Sequence, residues 1–113
     1  MTTIHISSIL CDPGASNDFN TGDTYVIDGY TPGEWDGTIG NLVKFLSGAA
    51  FATIDITAIG NITVSYMYFT NITFIGGTVN ATDGTSVDGG GNAGIVFPSV
   101  ASGGQFFFFG DDK

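Results

Sequence analysis

The chain has 113 residues, enough for one hydrophobic core and not for two. Two Lys, no Arg, ten Asp and one Glu give a net charge of −9, although only 12% of residues are charged. That balance offers no basic face for nucleic acid or an anionic membrane, and the lone Cys11 allows no internal disulfide.

Helix formers are scarce and Gly, Thr, Val, Ile and Phe dominate, which is the composition of strands and turns. The opening Met1-Thr-Thr-Ile-His has neither the basic segment nor the apolar core of a secretion signal, and no apolar run approaches the ~20 residues of a membrane span. Residues 1–38 read as a loop-rich N-terminal segment. Within it His5, between Ile4 and Ile6, reads as a strand residue, and Cys11–Gly22 and Asp28–Gly40 read as turn-rich loops. The second loop holds the only Trp and the only Glu, in Gly33-Glu34-Trp35-Asp36-Gly37. Between Leu42 and Ala52 the apolar Leu42, Val43, Phe45, Leu46 and Phe51 fit a helical turn interrupted at Gly48, or equally a strand and a bend.

Residues 39–79 carry the most regular pattern and are expected to form a core of short strands. Ile54 and Ile56, Ile62 and Val64, and Ile72 and Phe74 share one face by the two-residue period, with Asp55, Thr63 and Thr73 on the other. Ile39-Gly-Asn-Leu-Val matches Ile59-Gly-Asn-Ile-Thr at an offset of 20, and Thr53-Ile-Asp-Ile-Thr resembles Asn71-Ile-Thr-Phe-Ile at about 18. Periods of about 20 with Gly turns are those of a β-solenoid, here of four to six coils. The competing architecture is an antiparallel β-sandwich or jelly roll. It wants tight hairpins, but the sequence has no Asn-Gly pair and its Asp-Gly pairs sit in irregular text. Residues 80–94, with Asp88-Gly-Gly-Gly-Asn92, read as a flexible loop or lid, and residues 95–113 as apolar strands with an acidic tail.

Chemistry-bearing patterns are few. Glu34 and Asp36 would share a face in extended backbone beside Trp35, the minimum for a glycosidase acid and base. Nothing else around them builds such a site, and the chain is read as non-enzymatic, with no catalytic residue. Asp83 to Asn92 offers oxygen ligands but matches no calcium loop, and one His with one Cys makes no zinc site, so no metal or cofactor is expected. Asn61, Asn71 and Asn80 fit the glycosylation sequon. They are better explained as turn residues whose amides bond the backbone of a neighbouring coil. Phe106, Phe107, Phe108 and Phe109 place two rings on each face of a strand, so the second face is expected to be an oligomer interface.

The run Ile54-Asp-Ile-Thr, Asn61-Ile-Thr-Val, Phe69-Thr-Asn-Ile-Thr-Phe-Ile-Gly-Gly resembles the coil text of right-handed β-helices, including those of phage tailspikes and pectate-lyase-like proteins, over about residues 39–79. A β-helix chain this short and acidic looks like a bacteriophage capsid decoration (cement) protein. That resemblance implies a homotrimer on the outer capsid surface of the virion, made in the host cytoplasm and bound to the major capsid protein, with no nucleic-acid or membrane partner. Phe106–Phe109 would lie in the trimer seam, and Thr2–Phe19 or the Glu34-Trp35-Asp36 loop would touch the shell. The alternatives are a receptor- or glycan-binding tail-fibre or tailspike module using exposed Trp35, Tyr66 and Tyr68, a small glycan-active enzyme, or an extracellular filament subunit.

Overall fold

The computed structural model describes residues 2–98. Eleven short strands occupy them: β1 (Thr3–Ile6), β2 (Ser16–Phe19), β3 (Thr24–Ile27), β4 (Val43–Ser47), β5 (Ala52–Asp55), β6 (Ile62–Thr63), β7 (Met67–Thr70), β8 (Ile72–Ile75), β9 (Val79–Asn80), β10 (Val87–Asp88) and β11 (Ile95–Val96). No helix occurs among the described residues. The strands form three sheets, ordered β1-β3-β5-β8, β2-β4-β7-β10 and β6-β9-β11, and every strand pair is parallel. An antiparallel sandwich or jelly roll is thereby overturned. Parallel neighbours cannot be joined by tight hairpins and need long connections, which accounts for the missing hairpin turns.

From β5 onward the chain visits the first, third and second sheets in turn: β5, β6, β7, then β8, β9, β10, then Ala93 and β11. Thr53 lies opposite Thr73, and Thr73 opposite Ala93, an offset of twenty residues in the first sheet, while in the third sheet Ile62, Val79 and Ile95 are 17 and 16 apart. The sequence offset of 18 between Thr53 and Asn71 therefore misses the true register by two. The Ile39/Ile59 match is not a stacking register either: Val43 pairs with Met67, and what the two segments share is a turn glycine, Gly40 at φ 78° and Gly60 at φ 89°.

Alternation sets which side of each strand is buried. In β5 Ala52 and Ile54 are fully buried while Thr53 and Asp55 are half-exposed, and β7 repeats this with Met67 and Phe69 against Tyr68 and Thr70. The inner faces hold a run of aromatic contacts. Phe19 meets Phe45 at 5.1 Å between ring centroids, Phe45 meets Phe69 at 5.9 Å, and Phe69 meets Phe74 at 5.8 Å. Tilted and edge-on pairs at such separations stabilise beyond their buried area.

Between the two readings of residues 42–52 the structure decides, and it adds detail to both flanking segments. The segment 42–52 is strand β4 and a bend, since Phe45 and Val43 must point inward together with a period of two. The loop-rich N-terminal segment also carries β1, β2 and β3, which pair in the same sheets as the central strands. Residues 80–94 are not a lid. β10 pairs with β7, and Asn92 ties the segment down by accepting from Ile72 N at 2.9 Å and donating to the Phe69 carbonyl at 2.9 Å.

Asparagine amides do bond neighbouring circuits. Asn71 forms a one-residue corner at φ 56° between β7 and β8, and its Nδ2 donates to the carbonyls of Gly48 (2.9 Å) and Ser47 (3.3 Å). The Asn61 Oδ1 accepts from Thr78 N at 3.0 Å.

Candidate functional site

In the Glu34-Trp35-Asp36 loop the indole is not on the surface, while Glu34 and Asp36 are half-exposed. Trp35 has no exposed area and packs between Phe45 (5.0 Å), Tyr30 (5.1 Å) and Phe74 (6.1 Å). A large apolar ring in a loop is drawn inward when the strands beside it leave an aromatic gap, so Trp35 cannot stack on a sugar or touch a shell. The backbone here is a turn, with Glu34 N donating to the Thr31 carbonyl and Asp36 N to that of Gly33. The two carboxylates therefore do not share an extended face. Asp36 Oδ1 accepts from Ser65 N at 3.0 Å, and Glu34 Oε2 is buried without a hydrogen-bond partner among the described residues.

Cys11 is buried, and burial pushes its thiol above the ordinary value; Asn17 Nδ2, donating to Sγ at 3.6 Å, opposes this, while Glu34 and Asp12 add to the rise. A thiol held protonated is a poor nucleophile. The Asp83–Asn92 oxygens are also engaged. Asp83 accepts from the Ser65 hydroxyl and from Thr85 N and Oγ1, and Asp88 Oδ1 accepts from Gly90 N (2.9 Å) and Asn92 Nδ2 (2.7 Å). No group of three or more His, Cys, Asp or Glu is placed to hold a metal among the described residues.

These turn bonds have a pH consequence. The Ser65 and Thr85 donors hold Asp83 below the usual carboxylate range, and the Thr57 hydroxyl and amide do the same for Asp55. With the folded value below the unfolded one, the stabilisation is present above the unfolded value of about 3.9 and is lost as pH falls through the lowered one. Asp83→Asn is expected to flatten the fall of stability with acid below about pH 4. Urea titrations from pH 5 to pH 2 check this, and a slope equal to that of the unaltered protein would contradict it.

Beside exposed Leu10, Ile39 and Phe51, which lie outside the strands, two surface features arise from strand register. Every sheet ends, on its C-terminal side, at a strand with an exposed aliphatic: Ile75 in β8, Val87 in β10 and Val96 in β11, each 43% exposed. The outer edges of β10 and β11 carry no further strand among the described residues. The second feature is an open groove of about 650 Å³ on the outer face of the second sheet, lined by Asp18, Lys44, Leu46, Ser47, Gly48, Tyr68 and Thr70. Ser16, Lys44, Tyr68 and Val87 form one outward rank and Asp18, Leu46 and Thr70 the next. Lys44 and Tyr68 are 24 residues apart in sequence and become neighbours only through the β4–β7 register, so only their alternation with buried neighbours hinted at a shared outer face. Of the tyrosines expected at a glycan surface, Tyr68 alone lines this groove.

Phe106–Phe109 lie outside the described residues. No helix among the described residues is long and apolar enough to cross a membrane. Comparison with protein-family models, curated proteins and solved structures finds no match for this chain.

Proposed function

We propose that the three sheets are the walls of a short right-handed β-helix and that the protein is a non-enzymatic structural component of a virion, a trimeric decoration protein bound to the major capsid protein of a phage. The observation that carries this reading is the last strand of each sheet, where Ile75, Val87 and Val96 are each exposed and the outer edges of β10 and β11 carry no further strand among the described residues. A parallel edge with apolar neighbours is a template for strand addition and aggregation unless something covers it. Association of copies removes that liability, and Phe106–Phe109 follow in sequence where such cover is needed. The acidic exterior discourages non-specific adhesion, as an outer-shell component requires.

Light scattering of the intact chain is expected to give three times 11.7 kDa, and removal of residues 105–113 to give monomer or aggregate. A trimer that survives the truncation would sink the seam assignment. Mass spectrometry of purified virions is expected to find the chain in fixed ratio to the shell protein; its absence there overturns the decoration reading.

A further inference from the structure

The groove lies on the outer face of the second sheet, where Tyr68 stands one strand in from Val87. We infer that it binds an uncharged saccharide segment, with Tyr68 as the stacking platform and Lys44 and Asp18 as the groups that bond its hydroxyls.

Size and chemistry both point there. A volume of about 650 Å³ lies within the range of small-ligand sites, roughly 300–1,000 Å³. The lining holds one ammonium and one carboxylate, so its local charge cancels, and no carboxylate of the described residues forms an ion pair with Lys44. Lys44 thus keeps three free donors and Asp18 its acceptor lone pairs, a combination suited to the vicinal hydroxyls of a sugar. The net charge of −9 repels polyanions. An occupant that is polar, uncharged and has an apolar C–H face satisfies all of these conditions.

The position of the tyrosine ring supplies the second observation. Gly89 has no left-handed backbone that would demand glycine. Its missing Cβ leaves the space that Tyr68 and Thr70 occupy: a methyl there would come within 2.6 Å of the ring carbon Cζ and 2.5 Å of the Tyr68 hydroxyl, and would overlap Thr70 Oγ1. Glycine at 89 therefore leaves room for the hydroxyl end of the Tyr68 ring beside the neighbouring strand. A ring fixed in this way loses little conformational freedom when a ligand stacks on it.

The test uses the intact protein on a printed array of neutral and acidic oligosaccharides, followed by calorimetric titration with the neutral oligosaccharide giving the strongest signal. Saturable binding is expected. Tyr68→Ala should weaken it at least about tenfold, as loss of a central aromatic contact does, and Gly89→Ala should weaken it by displacing the same ring. Thr53→Ser, on the first sheet, should leave affinity unchanged. Tyr68 points outward, so its truncation spares the core, and unchanged Trp35 emission reports that the fold is intact. Binding confined to acidic glycans, no saturation by any neutral saccharide at millimolar concentration, or full affinity in Tyr68→Ala would each overturn the assignment.

Discussion

Trp35→Ala is expected to lower the free energy of unfolding by about 3–5 kcal/mol, the usual cost of deleting a large buried aromatic. Single domains have only about 5–15 kcal/mol in total, so the variant should be close to its folding limit at 37 °C. The indole touches Tyr30, Phe45 and Phe74 and thereby joins the 28–42 loop to two sheets. Its removal opens a cavity that none of these rings can fill without leaving its own contacts. Trp35→Phe should cost far less, because it keeps most of the ring volume and removes an indole Nε1 that is buried without a partner among the described residues. Urea denaturation followed by far-ultraviolet circular dichroism separates the two outcomes. A loss below about 1 kcal/mol for the alanine variant would mean that the loop is not anchored through this ring.

The second large effect is expected at a corner. Gly76 has φ 82°, a conformation costly to any residue with a Cβ, and that Cβ would overlap Thr57 Oγ1 and come within 2.6 Å of Thr57 N and 2.7 Å of its Cα. Thr57 cannot retreat easily, since Asp55 Oδ1 holds both its amide (2.9 Å) and its hydroxyl (2.6 Å). Gly76→Ala should therefore combine left-handed strain of about 1 kcal/mol with overpacking of about 1–3 kcal/mol. Gly22 separates the two contributions: it has φ 85° and nothing within 4 Å, so Gly22→Ala should show the strain alone. Equal losses at both sites in denaturant titrations would refute steric contact with Thr57 as the cause.

The sequence made the inward faces legible because alternation is a local property. Ile54, Ile62, Ile72 and Phe74 are all buried as their spacing implies. Register was less accessible. It depends on which residue of one circuit faces which residue of the next, and repeated letters such as Ile-Gly-Asn mark turns instead of pairings. Trp35 was misplaced for a related reason: a polar, turn-rich stretch suggests exposure, yet an indole lands where the surrounding strands leave room. The Gly-rich segment before β11 looked loose because it has few large side chains, whereas backbone pairing and Asn92 fix it in place. The groove depends on the same hidden register, joining residues from β2, β4 and β7 that no local pattern links.

The pairing of Thr53 with Thr73 and of Thr73 with Ala93 has a consequence for how the chain can change length. On the proposed β-helix reading each circuit bonds only to the one before and the one after, so its environment would be nearly reproduced if a whole circuit were excised or duplicated. A shift of a few residues would instead turn the inward face outward or misplace the corner at Asn71. On that reading, viable insertions and deletions are expected to come in whole circuits, as in repeat proteins whose units contact only their neighbours.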